Sequence, residues 1–217
     1  MKKLSRVNSI TCLNGFKSGK DAWEDAPKDL IWEELYKMQG GLCAYCECKL
    51  NRKHIEHFKC RKSYPNETFS WDNLFGSCGD SSKQGGWPRC GIFKDSGKLN
   101  YDIEKVIKPD VDNPDDYLLF LTSGKVTSKN NISELDTYKA EETIKVFNLN
   151  NDTRLVNSRA TTLKTYLEEI KTFYELCSEC DCDCDDLSNM LRDNLESIKG
   201  QEFETAIRHA WIYNEEY

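Results

Sequence analysis

Glu56 and His57 stand side by side near the middle of the chain. A carboxylate is a hard oxygen ligand suited to Mg²⁺ or Mn²⁺. A neutral imidazole can take a proton from water near neutral pH. Together they offer what metal-assisted attack on a phosphodiester requires. The run Ile55-Glu56-His57-Phe58 alternates like a short strand, in which neighbours point to opposite faces. One site using both groups therefore needs the strand end or a bulge.

Cysteines frame this pair. Cys43-Ala44-Tyr45-Cys46 is a CxxC knuckle after the Gly40-Gly41 turn, and Cys78 and Cys90 follow, each beside a glycine. Two such pairs suit a tetrahedral four-thiolate Zn²⁺ site, with the insert at 81–89 closing the unusual spacing of the second pair. Cys48 and Cys60 are spare candidates. A further run, Cys177, Cys180, Cys182 and Cys184, lies among acids at 175–186. Four thiolates packed so closely in sequence strain a tetrahedral site, which favours an acidic loop with free thiols over a second metal centre. Lys49, Arg52, Lys53, Lys59, Arg61 and Lys62 flank Glu56 and form a basic segment able to contact phosphates. Tyr64, Trp71 and Trp87 are close enough to stack on bases, although Trp71 suits a core better. No base-reading helix is evident, so sequence-independent binding is expected.

These residues must be held by a chain of 217 amino acids with eleven cysteines and a formal net charge of -7. The mean charge conceals a basic middle, with 12 Lys and Arg against 8 Asp and Glu over residues 43–108, and an acidic remainder beyond it. No apolar run approaches the ~18 residues that span a bilayer, and the N-terminus lacks a secretory apolar stretch, so a cytoplasmic protein is expected. In a reducing compartment cysteines serve metals more readily than disulfides. The spacing of Ile31, Leu35 and Met38, with Pro27 before and Gly40 after, predicts a helix over 25–39. Residues 42–100 show short apolar bursts and no long helix, as in a small β-rich module pinned by something other than a large core. A hairpin is expected around 117–126, and helical patterning runs from about 136, with a last helix near 200–213. The expected division is a segment at 1–42, a module at 43–108 and a mostly helical region at 109–217.

The order CxxC, Glu-His, Trp71-Asp72-Asn73-Leu74 and a further pair of cysteines resembles the HNH endonucleases over about residues 41–100. The resemblance implies an α+β fold with a zinc-stapled ββα-metal module. It also implies that Glu56 binds the catalytic Mg²⁺ or Mn²⁺, His57 is the general base and Asn73 pins the loop that aims it. LCAYCE, IEHFKCRKSYP, WDNLFGSC, KPDVDNPDDYLLF and FNLNNDTRLVNSR resemble the PtuB family, nuclease subunits of Septu and retron-associated anti-phage defence. That wider resemblance implies a PtuA-type ATPase partner, a DNA substrate with RNA as the alternative, and, in the retron setting, a reverse transcriptase with its nucleic acid. The acidity of the helical region would repel nucleic acid, and its apolar stripes are expected to dock a protein partner or to pack on the module at 43–108. One position departs from the HNH pattern. Where a helix residue after the last cysteine often supplies another metal ligand, this chain has Gly91, with Lys94 three positions on. Asp95 or water is expected to take that place, ahead of His54. The rival expectation is a zinc-bound nucleic-acid-binding or adaptor protein with a degenerate HNH site.

Overall fold

The computed structural model describes residues 1–7, 9–79, 89–179 and 184–213. Helix α1 (Lys28–Gln39) opens the regular structure and ends on Gly40, whose φ of 65° satisfies the left-handed C-cap that glycine adopts without strain. It begins later than the pattern predicts because Pro27 caps it from outside and residues 23–25 form a separate 3₁₀ turn. Ile31 and Leu35 are buried along its inner stripe. Gln39, at its end, clamps the central strand: its amide donates to the Gly76 and Leu42 carbonyls and its oxygen accepts from Gly76 N–H.

Strand β1 (Lys53–His57) pairs antiparallel with β2 (Leu74–Cys78), with Glu56 opposite Phe75 and His57 opposite Leu74. Every residue of β2 is buried. The five-residue helix α2 (Cys90–Lys94) follows in sequence and packs on both strands, giving a β-β-α order. A second antiparallel hairpin, β3 (Leu118–Phe120) and β4 (Val126–Ser128), turns at Gly124 as expected. A Cβ at Gly124 would lie 2.2 Å from the Val156 carbonyl, so glycine is what lets this turn sit on the long helix behind it. That region comprises α3 (Glu134–Val146), α4 (Thr153–Glu179), α5 (Cys184–Ser197) and α6 (Glu204–Tyr213), matching the helical periodicity. The fold is thus α+β, with two small sheets among the described residues.

One apolar cluster extends from the knuckle and β2 into the helical region, through Tyr45, Phe75, Phe147, Leu163, Ile207 and Trp211. Tyr45 stacks on Phe147 with centroids 3.8 Å apart. The smaller cluster of Ile31, Leu35, Trp71 and Leu74 lies under α1. Arg6 joins the two: its guanidinium stands 4.6 Å from the Trp71 and Phe75 rings and donates to the Trp71 and Leu74 carbonyls. Trp71 is therefore a core residue, as its sequence setting suggests. No described helix is long and apolar enough to cross a membrane.

Candidate active site

The knuckle is a tight reversal between Leu42 and Lys49, which bridge to each other. Cys43 N–H donates to the Cys48 carbonyl, and Glu47 takes a left-handed φ of 63° to complete the turn. Cys78 ends β2 and Cys90 starts α2, so the two secondary-structure ends bring the second pair to the first. The ligand atoms of Cys43, Cys46, Cys78 and Cys90 all lie within 4.8 Å of one another and are buried. Such a cage matches the tetrahedral thiolate chemistry of zinc. Cys48 is also close, its Sγ 3.2 Å from that of Cys46. Cys60 is half-buried elsewhere. In the acidic run, Cys177 packs half-buried against the helical core, whereas Cys180 and Cys182 lie outside the described residues. Trp87 and most of the 81–89 insert are also outside them.

β1 positions the charged residues by its period of two. His54 and Glu56 share one face, and His54 Nε2 lies 3.0 Å from Glu56 Oε2. Lys94, fully buried on α2, approaches the other oxygen: its Nζ is 2.9 Å from Glu56 Oε1, 3.1 Å from the His57 carbonyl and 2.5 Å from Asp95 Oδ1. Burial opposes charge on Glu56, but Lys94 and His54 outweigh it and hold the carboxyl below its ordinary range. Asp95 differs: burial and the neighbouring Glu56 charge push it up to about 6. Gly91 is packed directly on the acid. A Cβ there would fall 2.1 Å from Glu56 Oε2, so the carboxyl can take this position only because residue 91 is glycine.

His57 closes the strand, which lets it serve the same site as its neighbour. Its Nε2 is 3.0 Å from the Thr68 carbonyl. A carbonyl oxygen only accepts, so neutral His57 carries its proton on Nε2 and keeps a lone pair on Nδ1. Nδ1 has no hydrogen-bond partner among the described residues, and the ring lines a cavity of about 450 Å³ with Glu56, Arg61 and Asp95. The edge of Trp23 packs on the imidazole, centroids 4.4 Å apart. Burial, helped by the Arg61 and Lys94 cations, lowers the imidazole to about 4, so it is neutral at pH 7.

Asn73 fixes the loop beneath. Its side-chain oxygen accepts from Lys59 N–H at 2.7 Å, and its amide donates to the Lys59 and Glu67 carbonyls, each at 3.0 Å. These bonds hold residues 59–67 and, through the adjoining Thr68, the carbonyl that orients His57.

The basic segment does not gather into one patch. Lys53 turns toward α1, donating to Tyr36 Oη and standing 4.5 Å from the Trp32 ring. Lys49 faces Glu202 at 3.9 Å, and Lys59 pairs with Glu104 at 2.6 Å. Arg52 and Lys62 are exposed. Only Arg61 of the six lines the His57 cavity, with Glu24 3.8 Å away. Sequence reasoning also missed Trp23 and Thr68. Thr68 contributes a backbone carbonyl and leaves no side-chain signal; His54 had one, the H-x-E spacing that puts both residues on one strand face.

No family model matches the chain. The chain is similar to the Septu protein PtuB of Bacillus thuringiensis. Identity is 28% over 167 residues, covering 74% of this chain and 55% of the relative. The chain thus spans about half the length of the curated relative it matches. The similarity agrees with the resemblance to the PtuB family read from the sequence motifs.

Proposed function

We propose that this chain is an HNH-type endonuclease subunit that hydrolyses phosphodiester bonds, DNA foremost, in an anti-phage system with a PtuA-type ATPase partner. The observation that carries the proposal is His57, a neutral imidazole with one nitrogen tied to a carbonyl and the other open to a cavity beside Glu56. The likeness to the Septu protein PtuB supports the defence setting. A retron reverse transcriptase with its nucleic acid is a further partner that this setting allows.

His57 Nδ1 takes the proton of a water molecule as that water attacks phosphorus in line with the departing oxygen. The Thr68 carbonyl keeps the ring turned toward the cavity, and Asn73 keeps that carbonyl in place. Arg61, on the cavity wall, faces the phosphate oxygens. The donor set also fits a small divalent cation. Glu56 Oε2 and His54 Nε2 are 3.0 Å apart, near the ~3 Å between adjacent ligands of an octahedral ion with ~2.1 Å bonds. Gly91, lacking a Cβ, lets the Glu56 carboxyl pack directly on α2. Glu56 with His54 would hold Mg²⁺ or Mn²⁺, which would supply charge neutralisation at the phosphate and the leaving oxygen. Asp95 lines the same cavity, where its carboxylate pairs with Lys94. Zn²⁺ in the cysteine cage would staple the knuckle to β2 and α2.

A second reading rests on Lys94, whose ammonium already neutralises one oxygen of Glu56. It makes the chain a zinc-bound nucleic-acid-binding adaptor with an inactive site. Plasmid nicking by the full chain with its partner and Mn²⁺ separates the two. Nicking that disappears in His57→Ala establishes the nuclease; an intact plasmid with parent protein, or equal nicking by both proteins, rejects it.

A further inference from the structure

A second cavity, of about 770 Å³, adjoins that of His57, and Arg61 and Asp95 line both. One wall is the loop of Cys60 to Tyr64, and the other is the stretch running through Asn100 and Tyr101. Asn73 anchors the first wall at both flanks, through Lys59 on one side and Glu67 on the other. Tyr64 is 37% exposed, and Lys59 Nζ stands 5.4 Å from its ring centre. Tyr101 is half-buried near Lys94 and Asp95. The cavity therefore combines two aromatic rings, the carboxamide of Asn100 and the cations of Arg61 and Lys62.

This combination is specific in its chemistry. Aromatic rings hold a base by its π-face, a carboxamide can bond a base edge, and cations at the mouth accept phosphates. The faces of stacked bases in a duplex are covered, so only an unpaired or extruded base can meet these rings. We propose that this cavity receives one unpaired base of the strand being cut, next to the phosphate presented to His57, so that the chain acts on single-stranded or locally opened nucleic acid. The proposal rests on the nuclease reading for its placement beside the scissile phosphate. Arg61, shared by both cavities, would grip the phosphate linking the held base to the cleavage point.

The test uses the full chain without added divalent cation and a single-stranded oligonucleotide carrying 2-aminopurine, compared with the same strand in a duplex. Tight binding with quenched fluorescence is expected for the single strand alone. Tyr64→Leu and Tyr101→Leu should each weaken it by roughly tenfold to a hundredfold, since base stacking contributes ~1–3 kcal/mol and ~1.4 kcal/mol is a factor of ten. Tyr64→Phe and Tyr101→Phe should retain it. Tyr64 is exposed enough for its leucine variant to fold, which keeps the test decisive if Tyr101→Leu does not. Equal binding and quenching by the duplex, or unchanged binding in Tyr64→Leu, overturns the base cavity. A parallel cleavage assay with the partner and Mn²⁺ separates this failure from that of the nuclease reading. Parent protein that quenches but never cuts rejects the enzyme and leaves the base cavity standing. Protein that cuts without distinguishing the tyrosine variants does the reverse.

Discussion

His57 and His209 are both buried imidazoles beside a carboxylate, and their surroundings send them to opposite ends of chemistry. His209 Nδ1 accepts from Phe120 N–H at 3.1 Å, and its Nε2 faces Asp115 Oδ1 at 3.1 Å. Arg208 completes that cluster with two bonds to Asp115. Both nitrogens of His209 are therefore spent on joining α6 to β3 and the turn before it. His57 spends one nitrogen, on the Thr68 carbonyl, and opens the other to a cavity. Burial alone thus does not separate the two; the nitrogen that His57 leaves unspent beside a cavity does.

The sharpest challenge to this contrast is a pair of alanine variants. His57→Ala should reduce cleavage by about 10²–10⁴-fold, the usual contribution of a general base, read as single-turnover rates. His209→Ala should instead lower stability by about 2–4 kcal/mol in denaturant melts, because it leaves a cavity and strips Asp115 and Phe120 N–H of a partner. Cleavage per folded molecule should survive in His209→Ala. Equal loss of rate in both variants would end the comparison.

Gly91→Ala comes next. It inserts a methyl group against Glu56 and should cost about 1–3 kcal/mol while displacing the carboxylate. Melting midpoint and Mn²⁺ affinity should fall together; an unchanged Mn²⁺ affinity would show that the glycine does not guard the site.

Acid sharpens the two histidines further. His57 is lowered to about 4 and stays a free base well below the ~6.5 of an ordinary imidazole. His54, on which Glu56 outweighs burial and raises the pKa, must lose its proton to bind a cation. Cleavage should therefore fall first through the His54 range, and raising Mn²⁺ should move that limb toward the lower one of His57. Asp115 is held far below its ordinary range: burial opposes its charge, but His209 and Arg208 more than offset this. A depressed carboxyl stabilises the fold above its unfolded value of ~3.9 and loses that contribution as pH falls below it. Asp115→Asn should therefore flatten the acid limb of the stability curve without shifting the pH profile of cleavage. The smallest effect belongs to Lys53→Ala, whose side chain turns away from the site toward Tyr36. Oligonucleotide affinity should change less than about twofold, and Arg61→Ala should weaken it more.

Much of this was legible from residue types and spacing. The cysteine pairs fall at the ends of local elements, so their order alone implied a shared cage. The Glu56-His57 step required a strand end, and β1 ends at His57. The helical stripes after 136 carried their own period. Other parts lay beyond sequence because they depend on tertiary contact. Gly91 looks like a missing ligand in the sequence and proves to be the floor under Glu56. Asp95 has the chemistry of a ligand, yet α2 delivers it to Lys94. The basic run reads as one patch along the chain, but the turn and strand that carry it send Lys49, Lys53 and Lys59 to three different partners.

The cysteine cage has a consequence for the order in which the molecule assembles. Its ligands lie at 43, 46, 78 and 90, and the chain between the first and last contains both strands of the β1–β2 pair, Glu56, His57 and Asn73. A metal ion seized by the knuckle would seek the other two thiolates across a long flexible loop, a closure whose entropic cost is met before strand pairing rewards it. Ion capture would then become a nucleation step, and the rate at which newly made chains acquire a working site would follow the zinc available while they fold.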